Sequence, residues 1–257
     1  MKVAIIGYGH VGKAMHKAFP DACIYDPAYE EFCDLASVNA CDLAIVCAPT
    51  PSMPDGSCDV SAVEDCVSNL ECDYILIKSA VPPGTTKKLC EEYGKNICVS
   101  PEYIGESKYW SPHNWSVLEE PFLVVGGEKH VTKYIIDLFK QTLGPYKKYF
   151  STDSTTAEIV KYMENCFFAT KVTFCNEFYE ICKAFGADYN EVREMFVADP
   201  RVNPGHTLVF DDNRGFGGKC LPKDLNAIIS ASSNQGYEPR LLKQVLDSNN
   251  SFRSDSE

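Results

Sequence analysis

An apolar run from Lys2 to Ile6 passes without a break into Gly7-Tyr8-Gly9-His10-Val11-Gly12, and then into a stretch, Lys13 to Phe19, that reads as a helix. A short run of this kind is what a strand buried on both faces looks like. Glycines at this spacing carry little weight alone, but between a strand and a helix they are the fingerprint of a dinucleotide cradle. The first makes the turn, the second lets a pyrophosphate approach the backbone, and the third lets helix and strand pack closely. A second short strand, from Cys23, ends in Asp26. A carboxylate about 20 residues beyond the first glycine accepts hydrogen bonds from the adenosine ribose and disfavours a 2′-phosphate. Gly7, Gly9, Val11, Gly12 and Asp26 are therefore candidate cofactor contacts, and the cofactor they predict is NAD. The plain alternative for Asp26 is a solvated loop aspartate.

The alternation continues. Leu43 to Ala48, Tyr74 to Lys78, Asn96 to Ser100 and Pro121 to Gly127 read as strands, and Ser61 to Asn69, Thr85 to Tyr93 and Val131 to Leu143 as helices. Tyr146 to Phe150 reads as an edge strand. Strand and helix in repeated order predict an α/β doubly wound parallel sheet of Rossmann type over residues 1–151. Ligands in such sheets sit beyond the carboxyl ends of the strands, where Thr50, Ser79 and Pro101-Glu102-Tyr103 fall. At Thr152 the pattern changes. Thr155 to Phe185 holds no proline or glycine, and Ile159, Met163, Cys166, Phe167, Thr170, Phe174, Phe178 and Ile181 recur at helical spacing. One very long amphipathic helix with more than one apolar face predicts both domain packing and a homodimer seam. Further helices over Asp188 to Val197, Pro222 to Gln235 and Pro239 to Asn249, with a frayed end beyond, make residues 152–257 an all-α second domain.

Within that domain lies Gly215-Phe216-Gly217-Gly218-Lys219-Cys220-Leu221-Pro222-Lys223-Asp224. The glycines let backbone approach a ligand. Cations beside a thiol, and a helix N-terminus beneath it, favour the nucleophilic thiolate. A helix cap with an incidental buried cysteine is the plain reading; glycines, thiol, two lysines and an aspartate so close together favour the catalytic one. Lys161 and Asn165, four apart, share one face of the long helix and alone would read as a solvated polar stripe.

Composition excludes several classes. A net charge of −12 argues against a nucleic-acid binder. No apolar run approaches the length of a membrane span. The chain enters a strand at once, which does not read as a signal peptide. The 13 cysteines form no Cys-x-x-Cys pair and the five histidines show no ligand spacing, so free thiols in a reducing cytoplasm are expected and a metal site is not. The Asn-x-Ser matches at Asn114 and Asn249 are then chance.

Taken together, these stretches resemble the UDP-glucose/GDP-mannose dehydrogenase family over nearly the whole chain. The match runs through Gly215 to Asp224, Ala157-Glu158-Ile159-Val160-Lys161 with Asn165, Asn176 and Glu177, Asp199-Pro200-Arg201, Ser100-Pro101-Glu102-Tyr103, and Lys78-Ser79-Ala80-Val81-Pro82. The stretch around His206, with Lys219, is most similar to compact phage and bacterial members. The resemblance implies oxidation of a nucleotide sugar's primary alcohol to the carboxylate with two NAD per turnover, UDP-glucose to UDP-glucuronate first among candidates. Cys220 would be the nucleophile, Lys161 and Asn165 would stabilise the oxyanion, and Asp224 would orient water. Glu102 would be the general base and Lys223 would favour the thiolate. Thr50, Ser79, Ala80 and Glu106 would border the cofactor. Tyr103, Ile104, Arg201, Phe216, Gly217 and Gly218 would contact the sugar nucleotide, Arg201 from across a dimer interface. Two departures stand out. Ala80 replaces a water-binding threonine, and the chain stops where longer relatives carry a further nucleotide-binding domain, which leaves base and sugar open. UDP-N-acetylhexosamines and GDP-mannose are alternatives, as are a two-electron hydroxyacid dehydrogenase, which would leave Cys220 idle, and a cofactor-binding partner subunit without turnover.

Overall fold

Apolar runs and glycine turns at the start of the chain fold into β1 (Val3–Ile6), α1 (His10–Ala18), β2 (Cys23–Tyr25), α2 (Leu35–Asn39), β3 (Leu43–Val46), α3 (Ser61–Asn69), β4 (Tyr74–Ile77), α4 (Thr85–Tyr93) and β5 (Asn96–Val99). The structure, a computed structural model, describes residues 1–32, 34–104 and 117–254. With β6 (Phe122–Gly127), α5 (Lys129–Leu143) and β7 (Lys148–Thr152), the strands form one seven-stranded sheet in the order β2-β1-β3-β4-β5-β6-β7. The first five strands are parallel. The sheet is thus mostly parallel, as expected; the one exception is β6, which runs antiparallel to β5, with β7 parallel to β6. An antiparallel neighbour needs no helical crossover, and none lies between β5 and β6 among the described residues.

Alternate residues of each strand feed two cores. Ala4, Ile6, Ala44, Val46, Ile75 and Ile77 pack with Val63, Val67 and Leu89 on one face; Val3, Ile5, Leu43, Ile45 and Leu76 pack with Met15, Ile135 and Phe139 on the other. Burial on both faces is why these strands read as continuous apolar runs.

The chain forms two compact units, Met1–Met53 with Cys58–Lys161, and Pro54–Ser57 with the chain from Tyr162. The division falls inside α6 (Ser154–Phe185), beyond the change of pattern at Thr152. In the first unit α6 lies so close to β6 that a Cβ on Gly126 would meet the Ala157 Cβ at 2.4 Å. The second unit adds α7 (Tyr189–Val197), α8 (Cys220–Asn234) and α9 (Arg240–Ser254).

Most boundaries shift by a few residues, and three of the differences have a clear physical reason. The edge strand β7 starts at Lys148, because Tyr146 sits in an exposed turn. Helix α8 starts at Cys220; Pro222 is tolerated inside its first turn, whose N–H groups make no intrahelical bond. Helix α9 runs on to Ser254 where fraying was expected after Asn249, because Val245, Asn249 and Phe252 continue its buried stripe.

Candidate active site

In the first unit the glycine turn has the shape its spacing predicts. A Cβ on Gly12 would sit 1.9 Å from the Gly7 carbonyl oxygen, so only glycine lets α1 start against β1. Gly9, the N-cap of α1, has nothing within 4 Å of where its Cβ would be, and no side chain caps the helix. Open space over uncapped N–H groups, with Val11 in that first turn, is what an anionic pyrophosphate requires. At the end of β2 the Asp26 carboxylate accepts from the Tyr8 N–H (2.6 Å) and the Ala28 N–H (2.9 Å), which orients it toward a cavity of about 410 Å³ lined by Gly7, Asp26, Ala28, Leu35, Ala48 and Cys66. These residues fit an NAD adenosine. Beyond β3 and β4, the Thr50 hydroxyl donates to the Ala80 carbonyl (3.0 Å) and the Ser79 hydroxyl to the Ala48 carbonyl (2.6 Å). Both protons are spent in locking the two loops together; the oxygens remain acceptors.

Glu102 and Lys161 meet in the same unit. The Lys161 Nζ lies 3.9 Å from Glu102 Oε1 and 5.1 Å from the centre of the Tyr103 ring, while Glu102 Oε2 accepts from the Ile104 N–H (2.7 Å). A buried lysine underlies this segment: Lys78 donates to the Pro101 carbonyl (3.3 Å) and the Ser100 hydroxyl (3.5 Å). Burial pushes Lys78 below the ordinary lysine value and pushes the buried Glu120 above the ordinary carboxyl value. Tyr103 packs on Phe122 and Ile104 against the sheet's core, so both side chains turn inward. Glu106 lies outside the described residues.

In the second unit Cys220 is the first residue of α8 and is partly exposed, with Lys219 as the N-cap. Asp224, one turn on, is 1% exposed and uses both oxygens: Asn165 Nδ2 donates to one (2.5 Å) and Lys223 Nζ to the other (2.5 Å). Lys223 and Asn165 thus converge on Asp224. Burial pushes the thiols of Cys47 and Cys166 up to about 12 and that of Cys66 up to about 11, which leaves them protonated and inert near neutral pH. No disulfide joins the described cysteines.

The glycine loop departs from expectation. A Cβ on Gly215 would lie 2.5 Å from Asn249 Oδ1, and one on Gly217 would lie 2.7 Å from an Arg253 nitrogen. These two glycines admit side chains of α9; of the three, only Gly218, in the left-handed region at φ 75°, faces open space. Phe216 is buried in the helical core with Cys166, Ala169 and Leu225. Arg201 is exposed and paired with Asp199 (2.5 Å).

Two family models match: the NAD binding domain of the UDP-glucose/GDP-mannose dehydrogenase family over residues 29–142, and that family's central domain over residues 155–251. The chain belongs to that family. NAD is accordingly its cofactor. A UDP-glucose 6-dehydrogenase of Haloferax volcanii is 27% identical, aligned over 97% of this chain and 69% of its own length. Against several bacterial UDP-glucose 6-dehydrogenases the chain spans about half of the relative's length. The UDP-glucose dehydrogenase structure from Pyrobaculum islandicum superposes with a TM-score of 0.80 at 25% identity, covering 97% of this chain and 68% of that one. A UDP-D-ManNAc dehydrogenase from Pyrococcus horikoshii shares the fold, with a TM-score of 0.81 at 22% identity and coverage of 97% and 68%. Among the described residues no helix is long and apolar enough to cross a membrane, and no cluster of His, Cys, Asp or Glu could hold a metal ion.

The sequence did not point to Asn176, Arg214 and Asn249 as supports of the thiol loop. Their partners lie 33 to 39 residues away, a separation that no local motif encodes.

Proposed function

We propose that this chain oxidises the primary alcohol of a nucleotide sugar to the carboxylate through a covalent intermediate on Cys220, with UDP-glucose the leading substrate and UDP-glucuronate its product. The observation that carries the reading is the setting of Cys220, a partly exposed thiol opening a helix behind a glycine loop, while buried thiols such as Cys166 are pushed up to about 12. A helix N-terminus and neighbouring lysines favour its thiolate. Bound NAD would supply the hydride acceptor, once for alcohol to aldehyde and once for thiohemiacetal to thioester.

The chain's own groups take the other roles. Glu102 accepts the hydroxyl proton of the alcohol. The Cys220 sulfur adds to the aldehyde carbon, and Lys161 stabilises the oxyanion that forms. After the thioester is made, water attacks its carbonyl and the carbon–sulfur bond breaks. The thiolate leaves, and Asp224, fixed by Asn165 and Lys223, orients that water. The Asn165 amide keeps one N–H for the substrate oxygen. The balance is one alcohol, one water and two oxidised cofactors giving one carboxylate, two reduced cofactors and three protons. Of the glycine loop, Gly218 borders the substrate by its backbone. The active assembly is a homodimer through the outer face of α6, with Arg201 reaching the neighbouring site.

The test is stoichiometric. Purified protein with NAD and UDP-glucose is expected to yield two NADH per uronate, and Cys220→Ser to yield no acid. One NADH per turnover with aldehyde or ketone product would falsify the thioester route. Parallel assays with UDP-N-acetylmannosamine and GDP-mannose decide the sugar and base. Cofactor binding without turnover on any of them would instead indicate a cofactor-binding partner subunit.

A further inference from the structure

Two helices grip the loop that leads to Cys220, each with a pair of side chains one turn apart. From α9, Asn249 Oδ1 accepts the Phe216 N–H (2.6 Å) while its Nδ2 donates to the Phe216 carbonyl (3.0 Å). Arg253, the next residue on that face, lies against Gly217 and donates to the Arg214 carbonyl (3.4 Å). From α6, Asn176 Oδ1 accepts the Gly215 N–H (3.1 Å) and Arg214 Nε (2.8 Å), and Glu180 pairs with Arg214 (2.7 Å). Asn249 is 2% exposed and Asn176 1% exposed.

Burying a carboxamide is costly unless it is bonded. Asn249 meets that cost by bonding to both polar atoms of one backbone residue, as a neighbouring strand would. The pairing needs a side chain that donates and accepts at once, and Gly215 leaves it room. The loop ends at Gly218, after which Lys219 and Cys220 open α8. The place of Phe216 therefore sets where α8 begins and where its first residue stands.

We propose that Asn249 is a positioning residue for Cys220: by holding both polar atoms of the Phe216 backbone, it fixes the loop that presents the thiol at the N-terminus of α8. This rests on Cys220 being the nucleophile of the reading above. Helix α9 then serves the reaction without supplying a reacting atom.

Three full-length variants test it: Asn249→Ala, Asn249→Asp and, as a surface control on the same helix, Gln244→Ala. The readouts are kcat and KM for the sugar nucleotide, the NAD dissociation constant, and the rate of Cys220 alkylation by iodoacetamide. Asn249→Ala is expected to lower kcat by ~10- to 100-fold, the scale of a misplacement of about 1 Å, with KM and NAD affinity within about threefold of wild type. Cys220 alkylation slows at least about threefold, because the thiol no longer rests on aligned first-turn N–H groups. Asn249→Asp adds a signature that general loosening would not produce. Burial inclines a carboxyl group at this position to hold its proton, while Arg253 and Arg214 beside it favour the ionised form and so keep its titration within the neutral range. The protonated form can both donate and accept as Asn does. Its deficits in kcat and alkylation, relative to wild type, shrink as pH falls from 8 to 6. Unchanged kcat and alkylation in Asn249→Ala, or an Asp deficit independent of pH, overturns the proposal. If wild type turns over no sugar nucleotide, the function reading falls, and the alkylation rates alone still decide the role of Asn249. Should Asn249→Ala fail to fold, the pH series on Asn249→Asp carries the test.

Discussion

At the scale of single residues, position in the chain and chemistry in the fold separate. Cys220 stands out in the sequence by its setting among glycines and lysines, whereas Lys161, Asn165 and Asn176 stand out only through the family resemblance. Asn249 does not stand out at all, because what it holds is the backbone of a residue 33 positions away. His206 carries a prediction of its own. It is the one non-glycine residue with positive φ among those described (61°), and its ring stacks on Phe168 at 4.2 Å. Burial, with help from Lys171, pushes its imidazole down to about 4. The fold therefore prefers neutral His206, whereas the unfolded chain protonates it near 6.5. The stability it contributes is complete above the unfolded value and is lost as pH falls from about 6.5 through about 4. His206→Asn tolerates the same backbone angle and removes the titration. Urea denaturation at pH 7.5 and pH 5 is expected to show wild type losing about 1–2 kcal/mol more than this variant over that interval. Equal losses would mean the ring is not held neutral.

At the scale of elements, order, type and the parallel run of β1 to β5 were legible, and the reversal at β6 was not. Apolar period and glycine turns marked the strands. The reversal at β6 depends on how β5 and β6 pair, and no short-range pattern states that. Helix α4 shows how an element's end can be completed from far away. Its first turn has no side-chain cap of its own; Glu158 of α6 accepts from the Gly84 N–H (2.6 Å) and the Thr86 N–H (2.8 Å). Glu158 is 1% exposed, and burial raises its carboxyl above the ordinary value even with these two donors. A carboxylate at a helix N-terminus also meets the positive end of the helix dipole. Glu158→Ala leaves two N–H groups without an acceptor and is expected to cost about 2–4 kcal/mol, at about 1–2 per orphaned group. Glu158→Gln keeps one acceptor and should cost roughly half as much. Denaturation midpoints at constant m value measure both; a Glu158→Ala variant as stable as wild type would show that solvent reaches those groups.

At the scale of the whole molecule, the feature left to explain is the outer face of α6. Met163 (72% exposed), Phe167 (59%), Phe174 (50%) and Phe185 (86%) leave large apolar surface in water along one helix. Scattered exposed hydrophobics are ordinary; a stripe of them along one element marks an association surface. The periodic pattern foresaw more than one apolar face, and these residues are the ones not used by the core. Charge works against association, because each chain carries −12, so a pair carries −24 (2 × −12). Apolar burial must outweigh that repulsion, and salt screens the repulsion within about 10 Å at 0.1 M. A dimer held by this stripe should therefore tighten as sodium chloride rises from about 0.05 to 0.5 M, the reverse of an ionic interface. Sedimentation at micromolar concentration is expected to give a dimer, and the pair Met163→Lys with Phe167→Asp to give a folded monomer with unchanged NAD affinity. A wild-type monomer across that salt range would remove α6 as the seam, and with it the reach of Arg201 into a neighbouring site.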